Sequence, residues 1–121
     1  MKGVIYRLVF PDGKYYIGST INKIYDRMYC HKRDCANGHK SKLYEHWKKF
    51  NQLPTIEILE EVEIHTLNDL HRLERFYVQP IFEDDECLNS YIPALTAKER
   101  RDYNRFNALH WRTGKNVEYL E

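Results

Sequence analysis

Apolar and polar positions near the start of the chain predict two strands joined by a tight turn. The segment GVIYRLVF (residues 3–10) is rich in β-branched and other apolar residues, and KYYIGS (residues 14–19) returns with similar character. Between them, Pro11 suits the first central turn position and Gly13 can take positive φ. We therefore predict an antiparallel β-hairpin.

The stretch after the hairpin predicts two helices. The first runs over residues 22–36 and is closed by Asn37-Gly38, a common helix end. The second is KLYEHWKKF, residues 42–50, and Ser41 precedes it as a capping residue. Apolar residues at helical spacing give each helix a buried stripe, formed by Ile24, Met28 and Cys35 in the first and by Leu43, Trp47 and Phe50 in the second.

A third strand and a third helix follow. The segment TIEILEEVE (residues 55–63) alternates well enough for a strand, with Ile56 and Ile58 on one face. The helix is predicted over residues 67–78. Its apolar face is expected to contain Leu67, Leu70, Tyr77 and Val78.

Two capping boxes mark where the later helices begin. Thr66 with Asp69 precedes the third helix, and Thr96 with Glu99 precedes a tail helix that ends near Gly114. Together the elements predict an α+β fold, in which a small three-stranded antiparallel sheet is flanked by helices and followed by a C-terminal tail helix. The length of 121 residues suits one domain with a real core but not two.

Composition excludes several classes of protein. No stretch approaches the apolar length of a membrane span, and the first residues lack the apolar run and cleavage site of a signal peptide. Three cysteines are too few, and of the wrong parity, for a disulfide framework. We therefore expect an intracellular protein that is not secreted and has no membrane partner.

Charge is segregated along the chain, although the formal net charge is only +1. Residues 1–50 carry 11 Lys and Arg against 4 Asp and Glu, a balance of +7, whereas residues 51–95 carry 2 against 10, a balance of −8. Residues 96–121 carry 6 against 4, a balance of +2. A basic half beside an acidic half can present a positive face to a polyanion, but an ordinary charged surface has the same composition.

Several side chains with useful chemistry remain after the core positions are assigned. Arg27 and His31 are four residues apart and share one helix face. Glu74 lies in the middle of an apolar helix face, one turn from Leu70 and one from Val78. A carboxylate in that position must be desolvated, paired or bound to a cation. The structural alternative for Glu74 is a buried salt bridge, with Arg27 as a candidate partner.

Two short motifs and four further residues resemble the GIY-YIG nuclease family. VIY (residues 4–6) corresponds to the first motif, with Val4 where the family usually has glycine, and YIG (residues 16–18) is the second motif, intact. The resemblance covers roughly residues 3–89 and includes six side chains in the expected order: Tyr6, Tyr16, Arg27, His31, Glu74 and Asn89. Each of these residues alone is more often structural, so the joint pattern carries the resemblance.

The resemblance implies a domain that hydrolyses one phosphodiester bond in DNA with a single divalent metal ion, Mg²⁺ or Mn²⁺. Glu74 is then the expected metal ligand, and Arg27 is expected to bind phosphate oxygens as a fork. Tyr6 is the expected base or proton relay, although a free phenol has a pKa of roughly 10. His31 is expected to share the proton transfer or to bind phosphate, and the sequence leaves the division between Tyr6 and His31 open.

The remaining positions complete this expected machinery. Tyr16 would hold the attacking water or a phosphate oxygen, and Asn89 would orient a neighbouring group. Basic residues around the first two predicted helices would hold the DNA backbone without reading bases. These are Lys23, Lys32, Arg33, Lys40, Lys42, Lys48 and Lys49.

We expect the chain to divide into a GIY-YIG-like nuclease domain over residues 1–95 and a helical tail over residues 96–121. The tail is expected to pack on the domain, to contact DNA or to contact a second subunit. A single active site cuts one strand, so a double-strand break needs a homodimer or two successive events. The chain has no room for a large recognition domain. We therefore expect it either to act on DNA shape or with low sequence preference, or to take its specificity from a partner protein or a second copy.

Two alternatives come from other functional classes. One is a catalytically silent nucleic-acid-binding module with the same fold. The other is a zinc-dependent binding protein built on Cys30, Cys35 and His39. The two cysteines would point about 140° apart on an ideal helix, which is poor for shared coordination.

Overall fold

The computed structural model describes residues 1–50 and 52–102, and its architecture confirms the predicted α+β class. The strands are β1 (Lys2–Val9), β2 (Tyr15–Thr20) and β3 (Thr55–Glu63), and the helices are α1 (Ile24–Ala36), α2 (Lys42–Trp47) and α3 (Leu67–Val78). A short 3₁₀ helix, Gln79–Ile81, follows α3. The chain is helical again over residues 97–102.

β1 and β2 form the predicted hairpin. Gly13 in the turn has a φ of 91°, in the left-handed region that favours glycine. In the antiparallel register, Tyr6 lies opposite Gly18, and Leu8 lies opposite Tyr16. Because side chains alternate along a strand, Tyr6 and Tyr16 lie on the same face of the sheet.

β1 is the central strand of the sheet, whose order is β2-β1-β3 with antiparallel pairing throughout. The register with β3 shifts between Ile5, which pairs with Glu60, and Tyr6, which pairs with Ile58. β3 therefore has one extra residue at this point, which is a β-bulge. Ile56 and Ile58 share a face as predicted, but Ile56 packs against the core whereas Ile58 is 53% exposed.

Helices cover both faces of the sheet. On one face, Tyr6 and Leu8 belong to an apolar cluster with residues of α1 and α2. On the other face, Ile5 and Ile17 pack with the apolar side of α3. Neighbouring residues of β2 therefore face different helical layers, and the two layers meet along the β2 edge.

The beginnings of α2 and α3 follow the caps predicted from the sequence. The hydroxyl of Ser41 accepts a hydrogen bond from the backbone N–H of Tyr44 at 3.1 Å. Thr66 and Asp69 form the reciprocal capping box, in which each side chain accepts from the other residue's backbone N–H. These contacts satisfy amide groups that have no partner within the helix.

Three details of the helices differ from the prediction. α1 begins at Ile24 rather than at residue 22, because Lys23 has an extended backbone. α2 ends at Trp47 rather than at residue 50, since the N–H of Phe50 bonds only three residues back, to Trp47. Leu67 was expected on the buried face of α3, but it lies in the first turn and is 48% exposed.

The described beginning of the tail is attached to α3. Thr96 and Glu99 form the predicted capping box, with hydrogen bonds of 3.0 and 3.1 Å. Arg75 of α3 donates to the Glu99 carboxylate and to the carbonyl oxygen of Ala94. The rest of the predicted tail helix, residues 103–121, lies outside the described residues. Among the helices that are described, none is long and apolar enough to cross a bilayer.

Candidate active site

Gly18 allows the Tyr6 side chain to lie against β2. A Cβ atom at position 18 would be 2.5 Å from the Tyr6 hydroxyl oxygen and 2.6 Å from its Cζ atom. It would also be 2.9 Å from Cε2 of Tyr16. Such distances are too short for van der Waals contact, so a residue without a side chain is needed here. This close approach is the physical reason for a glycine directly after Tyr16 and Ile17.

The hydroxyl of Tyr6 is the centre of a buried chain of hydrogen bonds. Arg27 Nε donates to the Tyr6 oxygen at 3.0 Å, and this oxygen lies 2.7 Å from Nε2 of His31. The other ring nitrogen of His31, Nδ1, lies 2.9 Å from the Tyr44 hydroxyl. α1 supplies Arg27 and His31 from successive turns, and α2 supplies Tyr44. The Tyr16 ring packs edge-on against His31, with ring centroids 5.6 Å apart.

Burial keeps Tyr6 and His31 neutral at pH 7. Burial and the positive charge of Arg27 lower the pKa of His31 to about 3. Burial raises the pKa of the Tyr6 hydroxyl, and the charge and hydrogen bond of Arg27 act in the opposite direction. Neutral imidazole has one N–H and one acceptor nitrogen. In the tautomer with its hydrogen on Nδ1, Nε2 of His31 can accept the proton of Tyr6.

Glu74 reaches the site from the opposite helical layer. It is 8% exposed on α3, and its carboxylate accepts a hydrogen bond from the hydroxyl of Ser19 on β2. Within residues 1–50 and 52–102 it has no salt-bridge partner, so the suggested ion pair with Arg27 is not formed. Burial raises the pKa of Glu74, while the Ser19 hydrogen bond and the charges of His71 and Arg27 act in the opposite direction.

A cavity of about 180 Å³ lies at the β2 edge. Its walls include Tyr16, Ser19, Arg27, His71, Glu74 and Tyr91. A smaller cavity of about 120 Å³ shares Tyr16, Glu74 and Tyr91 with it. Tyr6 and His31 are 0% and 1% exposed and line neither cavity. Tyr6 lies one hydrogen bond further in than Arg27, and His31 lies two. A larger cavity of about 440 Å³ beside α2 contains none of the predicted catalytic residues.

Asn89 contacts the backbone of the YIG segment. Its Oδ1 atom accepts from the N–H of Ile17 at 3.0 Å, and its Nδ2 atom donates to the carbonyl oxygen of Ile17 at 2.7 Å. The side chain is 3% exposed. Asn89 therefore holds the middle of β2, the strand that carries Tyr16 and Ser19.

The basic residues predicted to hold DNA are all exposed. They are Lys23, Lys32, Arg33, Lys40, Lys42, Lys48 and Lys49. None of them is among the residues that line the cavity beside Glu74. Any contact between these residues and a polyanion would therefore lie outside the cavity itself.

The groups around Glu74 fit a hard divalent cation held by one carboxylate. Mg²⁺ commonly takes one or two protein carboxylates and completes its shell with water and substrate phosphate. In the part of the chain that is described, no cluster of three or more His, Cys, Asp or Glu side chains is placed to hold an ion jointly. Cys35 instead lies in the core, with its Sγ atom 3.9 Å from the carbonyl oxygen of Tyr44. The zinc alternative on Cys30, Cys35 and His39 thus finds no geometric support.

Four residues of the site were not singled out from the sequence. Ser19 directly follows the YIG motif, and strand alternation would have placed it toward the layer opposite Tyr16. His71 precedes Glu74 by three residues, so helical spacing would have placed both on one face. Tyr44 and Tyr91 carry no comparable local signal, because tertiary packing alone brings them to the site.

Comparison with known proteins gives one clear match. The family described as the GIY-YIG catalytic domain matches residues 2–79, a range that includes Tyr6, Tyr16, Arg27, His31 and Glu74. Comparison with curated proteins and comparison with solved structures each gave no match. Because the family match covers well over half of the 121 residues, the chain belongs to the GIY-YIG family of nucleases.

Proposed function

We propose that this protein is a metal-dependent DNA endonuclease with a single active site at the β2 edge. The supporting observation is the convergence of Tyr16, Arg27 and Glu74 on one cavity, with the Tyr6–His31 pair directly adjoining it. These side chains come from both strands of the hairpin and from the helices on opposite faces of the sheet. Phosphodiester hydrolysis needs this combination of phosphate binding, proton removal and charge stabilisation.

Arg27 is the proposed phosphate-binding group. Its Nε atom donates to Tyr6, and its terminal nitrogens have no hydrogen-bond partner among the described residues. A planar guanidinium can donate to two phosphate oxygens at once, which fixes orientation as well as charge. Glu74, oriented by Ser19, is the proposed metal ligand. When bound, Mg²⁺ or Mn²⁺ would polarise the phosphate and supply positive charge for the pentacovalent transition state.

Tyr6 and His31 are the proposed proton relay. The Tyr6 oxygen takes a proton from the attacking water while its own proton moves to His31 Nε2, 2.7 Å away. His31 is neutral at pH 7, so one of its ring nitrogens carries no hydrogen and is open to this proton. Tyr6 is fully buried, so the relay requires Arg27 to turn from Tyr6 toward the phosphate and so uncover the hydroxyl. Tyr16 is proposed to hold the water or a phosphate oxygen, and Asn89 to position β2.

The exposed basic residues in and around α1 and α2 are proposed to hold the DNA backbone beside the cavity, without reading its sequence. The nuclease domain is proposed to extend over residues 1–95, beyond the family match, since Asn89 contacts β2. We place the protein inside the cell, with the DNA. Cleavage of both strands would need a homodimer or a specificity-giving partner.

A nicking assay tests the proposal. Supercoiled plasmid and branched DNA are incubated with the protein in Mg²⁺, in Mn²⁺ and in EDTA. We expect nicking that EDTA abolishes, and that Glu74→Gln and Arg27→Ala each reduce by about 100-fold or more, as is usual for loss of transition-state contacts. Glu61→Gln and Arg72→Ala are matched controls, because both side chains are exposed and neither lines the cavity.

The outcomes separate the two candidate functions. Nicking that survives both Glu74→Gln and Arg27→Ala would contradict the proposed site. Tight binding of DNA by the wild-type protein, with no cutting in either metal, would instead favour the catalytically silent binding module.

A further inference from the structure

A segment beyond the family match forms one wall of the catalytic cavity. Tyr91, Pro93 and Ala94 line the cavity of about 180 Å³ together with Arg27 and Glu74. The family match ends at residue 79, so this wall is a feature of the present chain outside the matched range. The residues of this wall, 90–95, can therefore influence which substrate enters the cavity.

The wall is held in place although it is neither helix nor strand. At its start, Ser90 Oγ accepts from the N–H of Lys42 at 3.2 Å, and the preceding Asn89 is bonded to the backbone of β2. Near its end, Arg75 donates to the carbonyl oxygen of Ala94 at 3.4 Å and also to Glu99 at 3.2 Å. Ile92 and Pro93 are buried. The backbone of the wall is thus fixed from both ends.

Tyr91 projects from this fixed backbone as an exposed ring. Its relative exposure is 60%, and it lines both the main cavity and the neighbouring cavity of about 120 Å³. Within the described residues its hydroxyl has no hydrogen-bond partner, and the adjacent Ile92 is the residue that fills the core. An aromatic face beside Glu74 and Arg27 is therefore available to a ligand.

We propose that Tyr91 stacks on the base of a nucleotide next to the scissile phosphate, and that the substrate is DNA in which this nucleotide is unpaired. This inference rests on the proposed function. A phosphate bound by Arg27 brings its flanking nucleotides to the wall that Tyr91 forms, because both residues line the same cavity. Aromatic side chains stack on bases without sequence preference, but a base inside a duplex has both faces covered by its neighbours. Flaps, splayed arms and single strands offer a free face.

Binding measurements without cleavage test this inference. Glu74→Gln protein in EDTA is titrated with a splayed-arm DNA and with a fully paired duplex of the same length. When Tyr91→Ala is introduced into this Glu74→Gln parent, the affinity for splayed-arm DNA is expected to fall about tenfold, which is the usual effect of losing one stacked base. Duplex binding should stay within about twofold, and Tyr91→Phe should bind both DNAs like the parent. Phe76→Ala is the control, since Phe76 is 75% exposed on α3 and does not line the cavity.

A second readout checks that Tyr91 touches the base. A 2-aminopurine in the unpaired arm next to the branch should lose fluorescence when it binds either the parent or the Tyr91→Phe variant, but not when it binds Tyr91→Ala. Equal binding of splayed-arm DNA by Tyr91→Ala and the parent would overturn the inference, as would an equal loss on the duplex. Wild-type protein that binds in this Tyr91-dependent way but never cuts would overturn the proposed nuclease function and leave the stacking site standing.

Discussion

Replacement of Gly18 by alanine is the sharpest test of how the site is built. The added Cβ atom would lie 2.5 and 2.6 Å from the hydroxyl oxygen and Cζ of Tyr6. Ordinary contact needs at least about 3.4 Å, so the phenol ring must move by about 1 Å. Tyr6 is fully buried, and its hydroxyl is bonded to both Arg27 and His31. Neither ring nor partners can move without disturbing the core.

The expected cost follows from two opposing terms. Overpacking a tight core costs about 1–3 kcal/mol, and alanine recovers about 0.5–1 kcal/mol because it loses less backbone entropy than glycine in a strand. The weakened hydrogen bonds of Tyr6 add about 1 kcal/mol. We therefore expect Gly18→Ala to lower the free energy of unfolding by about 1–3 kcal/mol, or the Tm by at least about 4 °C.

Urea denaturation measures the loss of stability in Gly18→Ala, and a nicking assay measures its effect on cleavage. Gly3→Ala is the matched control: its Cβ atom would lie 2.7 Å from Cδ1 of Leu70 and 3.2 Å from Cδ1 of Ile64, which are ends of flexible side chains. It should therefore cost less than Gly18→Ala and leave nicking intact. If Gly18→Ala is as stable as Gly3→Ala and still cuts at the wild-type rate, Tyr6 is not held against β2 in the way described.

Two further predictions concern buried titratable groups. In EDTA at pH 7, Glu74→Gln should raise the free energy of unfolding by about 1 kcal/mol, because it removes a buried charge and can still accept from Ser19; a fall in Tm relative to wild type would contradict this. The pKa of His31 is about 3 in the folded protein, whereas its ordinary value is 6.5. Between pH 3 and pH 6.5, unfolding of the protein therefore takes up a proton. Stability should therefore fall by up to about 1.4 kcal/mol per pH unit below pH 6.5, and His31→Gln, unlike the exposed control His39→Gln, should lose this part of the slope.

Local features of the fold could be predicted because their causes are local in sequence. The turn at Gly13, the Thr66–Asp69 box and the cap at Ser41 each depend on residues within a few positions of one another. The exposure of Ile58 could not be predicted in the same way. It depends on how far the helices reach across the sheet, which the sequence of the strand itself does not determine.

In the candidate site, too, the residue types could be predicted from the sequence, whereas their contacts depend on tertiary packing. Order and residue type pointed to Arg27, His31 and Glu74, but the sequence could not give the partners of these groups. Glu74 bonds to Ser19 rather than to Arg27, because the two layers meet at the β2 edge with Ser19 facing α3. The complete burial of Tyr6 likewise follows from its position on the central strand.

The path of the chain beside β2 has a consequence for assembly. The N–H of Tyr15 donates to the carbonyl oxygen of Glu86 and the N–H of Leu88 donates to that of Tyr15, while Asn89 occupies both backbone groups of Ile17. The main-chain groups of Tyr15 and Ile17 that face outward from this edge of the sheet are thus already hydrogen-bonded within the same chain. Two copies cannot merge into one continuous six-stranded sheet here. Any association of two copies that brings two candidate sites together therefore has to use surfaces other than the β2 edge.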